Sequence, residues 1–305
     1  MTDRLMLLDT ASLYFRAFYG VPDTVKAPDG RPVNAVRGLL DMIAKLVSAY
    51  EPTHVIACWD DDWRPQWRVD LIPSYKAHRV VEVVAAGPDV EEVPDPLEIQ
   101  IPVIRQALGV LRIPIVGAAE HEADDVIGSL ASQSDIAVDV VTGDRDLFQL
   151  VDDARGIRVI YTGRGMSNLE VLTDAAVTAK YAVLPTQYAD FAVMRGDASD
   201  GLPGVAGVGE KTAATLLAAH GDLAGIQAAA AAGEGMSVGV RTKILAAADY
   251  LAVAPTLVEV VRDLDLPSVD ARLTVPDEAE VSALASAWSL GSSADRAAQA
   301  ISARA

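Results

Sequence analysis

One cysteine, Cys58, stands in a chain of 305 residues. A single thiol excludes an internal disulfide framework and any cysteine-built zinc site. It lies inside the apolar run 54–59 and reads as a buried, inert group rather than a nucleophile. Histidine is almost as scarce, with four copies. His54 is expected to face the core, His78 and His220 to face solvent, and His121 to flank a helix. Basic residues are outnumbered, 25 Lys and Arg against 43 Asp and Glu, for a net charge of −18. That balance argues against a nonspecific nucleic-acid coat protein. It leaves room for an enzyme acting on nucleic acid, because divalent ions cancel acidic charge and phosphate contacts need only local basic groups. No apolar run is long enough to span a bilayer. The opening MTDRLMLLD has no long hydrophobic signal core, so a cytoplasmic location is expected.

What the chain does have is apolar residues, 51% of the total, enough for a sizeable core divided into one large and one small domain. Residues 4–9 read as a short buried strand ending in Asp9. A helix is expected over 33–49, with Val36, Leu39, Leu40, Ile43 and Val47 on one face. A second buried strand, 54–59, runs into Asp60-Asp61-Asp62. Residues 122–134 read as a helix, 136–141 as a strand ending in Thr-Gly-Asp144, and 157–161 as a further strand. Strands alternating with helices imply a mostly parallel sheet, whose ligands bind beyond the carboxyl ends of the strands. Asp9, Asp60 and Asp144 all fall at that edge. Residues 80–104 contain several prolines and acids and no Lys or Arg, and read as a solvated excursion from the core. From about residue 185 the chain turns helical and alanine-rich; 282–290 reads as a late helix and 292–305 as a fraying end.

The informative residues are carboxylates beside apolar runs: Glu122, Asp124 and Asp125, then Asp144 and Asp146, then Asp197 and Asp200. Acids favour helix N-termini, and capping explains one or two of the first group. Three in four positions exceed that need. Like charges gathered in a partly desolvated place repel, and a cation is the usual remedy. Oxygen donors without Cys or His favour Mg²⁺ or Mn²⁺. Asp197 and Asp200 fall on one face of a helical turn, although two surface turn residues would look the same. Two carboxylate sets are what a two-metal phosphate-ester hydrolase requires.

Residues 202–213, LPGVAGVGEKTA, form a glycine-punctuated hairpin opening a helix. A Walker A loop is excluded, since Glu210 stands where its lysine belongs. Gly204, Gly207 and Gly209 let backbone amides approach a phosphate beside a helix N-terminus, with Lys211 and Thr212 as supplements. Tyr75-Lys76-Ala-His-Arg79 sets two cations on one turn beside an aromatic ring that suits base stacking; Arg16 and Arg68 are candidates to join them. Taken alone, this stretch is better read as a solvated basic turn. Trp59, Trp63 and Trp67 recur every four residues and suit core packing.

Taken in order, LLDTASLYFRAFYG, SYKAHR, HEADDVIGSLA, VTGDRDLFQLV and GDASDGLPGVAGVGEKTA resemble the bacterial 5′ nuclease family. This is the flap endonuclease/5′-3′ exonuclease domain found at the front of DNA polymerase I and as free-standing proteins; no polymerase sequence follows here. The resemblance implies an α/β fold: a PIN-like nuclease core with a mostly parallel central sheet, a helical arch, and a C-terminal helical region containing a helix-three-turn-helix DNA-binding element. It divides the chain into a nuclease core, 1–182, with the arch at about 75–104, and a helical DNA-binding region, 183–305, with the helix-three-turn-helix at about 185–222. It implies that Asp9, Asp60 or Asp61, Glu122, Asp124 and Asp125 serve a first metal cluster, and Asp144, Asp146, Asp197 and Asp200 a second. Asp60, at the strand end, is the preferred one of its pair, and Asp125 is assigned to catalysis as well. Lys76 and Arg79, with Arg16 nearby, would contact the scissile phosphate. Tyr75 and the hairpin from Gly204 to Thr212 would contact DNA, with K⁺ admitted on the hairpin carbonyls. Two departures stand out: the DDDWRPQWR segment is one residue longer than usual, and the arch is acidic after Arg79 where relatives carry basic residues.

The expected activity is structure-specific 5′ hydrolysis of DNA or RNA-primed strands at duplex/single-strand junctions by two or more Mg²⁺ or Mn²⁺ ions, in replication and repair. The expected partner is branched or 5′-ended duplex DNA, with RNA–DNA hybrid as a further one; no membrane is involved and the protein is a monomer. Two other readings compete. A junction-binding protein with vestigial catalysis is opposed by the intact acid set. A small-molecule phosphatase is opposed by the absence of an Asp-x-Asp-x-Thr signature after the first strand.

Overall fold

The computed structural model describes residues 3–84 and 87–305. Its centre is a six-stranded sheet of order β5-β2-β1-β6-β7-β8. The strands are β1 (Arg4–Asp9), β2 (His54–Cys58), β5 (Ile115–Val116), β6 (Ala137–Thr142), β7 (Ile157–Tyr161) and β8 (Glu170–Leu172). All adjacent pairs are parallel except β7–β8. The strands are mostly apolar because helices cover both faces; a buried exception, Asp139 of β6, is paired with Arg4 and Arg158. Met6, Leu7 and Leu8 of β1 are buried, as are Val138, Val140 and Val141 of β6. From β1 the chain first builds outward through β2 to β5, then returns to build through β6 to β8. The order therefore reverses between β1 and β6, and the crevice at their carboxyl ends is where an open parallel sheet binds ligands.

Helix α1 (Thr10–Gly20) follows β1 directly, and α2 (Asn34–Tyr50) buries Val36, Leu39, Leu40, Ile43 and Val47, the face its periodicity predicts. After the short α3 (Gln66–Leu71), the segment from Tyr75 to Ile104 departs from the expected helical arch. A 3-10 turn, Ala77–Arg79, leads into an antiparallel ribbon of β3 (Val80–Glu82) and β4 (Val90–Glu91), then the four-residue α4 (Asp95–Glu98) and α5 (Ile101–Val110). Residues 85 and 86 of this expected arch lie outside the described residues. The composition explains the departure. Val80, Val81, Val83 and Val84 favour extended backbone, and Pro88, Pro94 and Pro96 interrupt helix formation. Next come α6 (Ala123–Gln133), a 3-10 turn Asp146–Leu150, and α7 (Asp174–Tyr181).

The helical region comprises α8 (Tyr188–Arg195), α9 (Glu210–His220), α10 (Leu223–Ala232), α11 (Val238–Ala246) and α12 (Ala248–Val258). It shares one apolar core with the sheet: Tyr188, Phe191 and Met194 are buried in the same cluster as Phe148, Val126 and Val159. The chain then runs back. Leu273 N–H donates to Thr53 O at 2.9 Å, and Val55 N–H to Ala271 O at 2.9 Å, beside the edge of β2. Helices α13 (Glu278–Trp288) and α14 (Ser293–Ser302) pack on the opposite side of the sheet, in the cluster that contains α2. The last helix is therefore no fraying tail: Ala294, Ala297 and Ile301 are buried. The residues after about 260 pack back on the sheet and its covering helices.

Candidate active site

Asp9 ends β1 and caps α1, accepting the Ser12 N–H at 3.1 Å. Thr142, at the end of the neighbouring β6, donates its hydroxyl to the other Asp9 oxygen at 2.6 Å. Burial pushes the Asp9 carboxyl up to about 7; the Asp60 and Asp144 charges add to this and the Thr142 and Ser12 bonds oppose it. The site is narrow there. Gly143 N–H donates to Ser12 Oγ at 3.0 Å, and a β-carbon on Gly143 would meet that oxygen at 2.6 Å.

Asp60, just beyond β2, accepts the Ala123 N–H at 2.8 Å, which ties the strand end to the start of α6. Burial raises its pKa, with the Glu122 charge adding to the effect. Asp61 turns the other way and lies over Gly117, where a β-carbon would be 2.5 Å from its carboxylate. Geometry therefore separates the pair that the sequence left open. Asp124, in the first turn of α6, faces the same cleft, and burial beside Asp144, Asp9 and Glu122 raises its pKa well above the usual range. A cavity of about 240 Å³ is lined by Asp9, Asp60, Glu122, Asp124 and Asp144, with Lys76 and Arg79 on its wall.

Asp125 does not join them, which corrects its assignment to metal binding and catalysis. Its carboxylate is fully buried and held by Arg68 through Nη1 at 2.8 Å and Nη2 at 2.7 Å, and it also accepts the Val261 N–H at 3.0 Å. Successive helical residues point about 100° apart, so Asp124 faces out while Asp125 faces in. Arg68 is thereby a structural cation rather than a phosphate contact. Glu122 is shared: it lines the cleft, yet accepts from Arg68 at 2.9 Å, from the Tyr75 hydroxyl at 2.6 Å and from the Lys76 ammonium. Tyr75 is 3% exposed, so the expected stacking of its ring on a base is also corrected. Burial alone would lower the Lys76 pKa, but Glu122, Tyr75 and Asp200 hold it well above normal. Arg79 donates to Ser199 O at 2.9 Å and lies 3.4 Å from Asp200 Oδ1. Arg16 borders a neighbouring hollow with Phe15, Tyr19 and Met166.

The remaining acids gather where the turn after β6 meets the end of α8. Asp146 is buried with one oxygen lacking a hydrogen-bond partner, and burial beside Asp144, Asp200 and Asp197 raises its pKa strongly. Burial also pushes Asp200 up to about 6, against the pull of Lys76. Asp197 is the exception: burial would raise it, but Ser199, Arg195 and Arg145 together lower it. As the side chains stand, no three His, Cys, Asp or Glu groups among the described residues are drawn together closely enough to hold an ion. The donor chemistry nevertheless fits a hard divalent cation. Five of these acids, Asp9, Asp60, Asp124, Asp146 and Asp200, are disfavoured as anions, chiefly by burial and then by neighbouring carboxylates, a cost that a bound divalent ion would offset.

The hairpin between α8 and α9 closes through paired glycines. Gly196 (φ +78°) and Gly204 (φ +66°) lie so close that a β-carbon on either would sit 2.6 Å from the backbone of the other. Gly209 is the N-cap of α9 and offers no side-chain cap; its carbonyl accepts the Thr212 and Ala213 N–H groups at 3.0 Å. Lys211 is exposed and Thr212 half-buried. Gly207 O accepts from Lys243 Nζ at 2.8 Å.

Residues 4–182 match the family profile described as the 5′-3′ exonuclease N-terminal resolvase-like domain, and residues 183–279 match the 5′-3′ exonuclease C-terminal SAM fold. The chain belongs to the 5′-3′ exonuclease family. A 5′-3′ exonuclease of Streptomyces coelicolor is 58% identical over 95% of this chain and 98% of its own length. One of Mycobacterium tuberculosis is 48% identical over 97% of each. Among solved structures, the T5 D15 protein co-crystallised with metal ions superposes with a TM-score of 0.65 at 17% identity, covering 98% of both chains, which shows a common fold. Among the lining residues of this exonuclease-family cleft that sequence reasoning missed are Trp63, Glu91 and Gly143. Glu91 sits in the acidic stretch read as solvated loop, and its arrival depends on the ribbon folding back.

Proposed function

We propose that this protein is a divalent-metal-dependent phosphodiesterase that hydrolyses 5′-ended strands at junctions of duplex and single strand, as a flap endonuclease and 5′-3′ exonuclease in replication and repair. The observation that carries the reading is the convergence of Asp9, Asp60, Asp124 and Asp144 on one cleft at the sheet's switch point, opposite Lys76 and Arg79. Mg²⁺ or Mn²⁺ held by these acids, with Glu122, Asp146, Asp197 and Asp200 as further ligands, would activate water and stabilise the leaving oxygen. Lys76 and Arg79 offset charge developing on the phosphate. Thr142 and Ser12 keep Asp9 aimed into the cleft. The amides near Gly204, Gly207 and Gly209, with Lys211 and Thr212, hold the duplex backbone without reading sequence. In this division residues 1–182, joined by Asp197 and Asp200, carry the chemistry, and helices α8 to α12 grip the duplex. DNA is the expected strand, with RNA–DNA hybrid a further substrate. K⁺ on the hairpin carbonyls, a monomeric state and a cytoplasmic location belong to the same reading.

The test is cleavage of end-labelled 5′-flap and nicked duplexes in Mn²⁺ or Mg²⁺. Asp124→Asn should lower the rate by about 100-fold or more. Wild-type protein that leaves both substrates intact at every metal concentration would refute the proposal.

A further inference from the structure

Arg195 ends α8 where the second group of carboxylates meets the hairpin. Its side chain is 11% exposed. Nη2 lies 3.4 Å from Asp197 Oδ2 and 4.0 Å from Asp146 Oδ1, while Nη1 lies 3.8 Å from Glu210 Oε1. These are ion-pair distances, unlike the bidentate grip of Arg68 on Asp125 at 2.7 and 2.8 Å. Two atoms of the group, Arg195 Nη1 and Asp146 Oδ1, are buried without a hydrogen-bond partner. The head makes two hydrogen bonds among the described residues, Nε to Gly196 O at 3.1 Å and a long one from Nη2 to Asp197 Oδ2 at 3.4 Å. Neighbouring cations are engaged differently: Arg145 lies 3.9 Å from Glu210, and Arg79 donates to Ser199 O. A guanidinium thus sits amid acids it does not bond tightly.

We propose that Arg195 is the resident counter-charge of the Asp146–Asp197 carboxylate pair, and that it sets how tightly this pair takes a divalent ion. The inference rests on the metal-centre reading above. With no ion bound, the guanidinium offsets repulsion among Asp144, Asp146, Asp197 and Asp200. A cation entering between Asp146 and Asp197 must displace that attraction and approach a like charge, so its affinity is weakened relative to the Asp9–Asp124 side. The arginine offsets part of the charge of the second carboxylate set until metal or a phosphate-bearing substrate arrives.

The experiment is a Mn²⁺ titration of the whole protein, reading free Mn²⁺ by its electron paramagnetic resonance signal. Wild type should show a tight class of site and a weak class. Arg195→Gln should tighten the weak class by about tenfold or more without changing the total bound, and Arg195→Lys, which keeps the charge, should fall between. Asp146→Asn in the Arg195→Gln background should abolish that class, placing it at the second carboxylate set. Circular dichroism checks folding, and the Lys variant carries the test if the Gln variant unfolds. A folded Arg195→Gln protein whose weak class is unchanged or looser overturns the role of Arg195 alone. Wild-type protein that binds no Mn²⁺ overturns the metal centre and this inference together.

Discussion

Asp124 and Asp125 are chemically identical neighbours with opposite surroundings. One faces a cleft of acids; the other is neutralised by Arg68 inside the protein. Such a buried ion pair is costly to break, because removing one partner strands the other charge. Asp9 shows the reverse situation, a buried acid without a cation. Its carboxyl is raised from 3.8 to about 7, so between those values the folded protein holds a proton that the unfolded chain has released. Stability is then lost as pH rises through that window and is unaffected by Asp9 below it. Asp9→Asn should therefore stabilise the metal-free protein at pH 8 by on the order of 2–4 kcal/mol and leave it nearly unchanged at pH 4. Urea unfolding in EDTA at the two pH values measures this; an equal effect at both would remove the electrostatic explanation.

At the level of elements, β1, α2, β2, α6, β6 and β7 were legible from periodicity, because each has one buried face or is buried throughout. The ribbon of β3 and β4 was not, since its valines and prolines do not say what it folds back against. In place of an arch helix it sets Glu91 at the cleft and leaves Glu92, Asp95 and Glu98 exposed beyond it. A phosphate strand led along that side meets like charge at less than a screening length. Cleavage of 5′ flaps should consequently slow as the single strand lengthens. Replacing Glu92, Asp95 and Glu98 with lysine should speed long-flap cutting by about tenfold at low salt and little at high salt. A flap-length series at two ionic strengths checks this. Rates independent of length in the wild type would remove the ribbon from substrate selection.

Over the whole molecule, two apolar clusters lie on the two faces of the sheet, and the chain's return stitches them together. The segment after α12 binds Asp125 through Val261 and Thr53 through Leu273 before α14 seals α2. Residues 292–305 were expected to fray as the end of the chain, yet Ala294, Ala297 and Ile301 fall on one face against α2. Truncation after residue 290 uncovers that face and should cost about 3–5 kcal/mol, read as a Tm lower by roughly ten degrees or more. A Tm within a degree or two of the full chain would make α14 an ornament rather than part of the core.

By itself the sequence determined the alternating α/β order, the placement of Asp9, Asp60 and Asp144 at strand ends, the acid-rich start of α6 and the glycine hairpin before α9. These are local properties, written in periodicity, capping and turn chemistry. Only the tertiary structure decided which acids face one another. Asp61 turns to Gly117, Asp125 to Arg68, and Glu91 arrives from the ribbon. The direction of a side chain relative to distant partners depends on how helices seat on the sheet. That seating is settled by burial summed over the whole core, which no short stretch of residues contains.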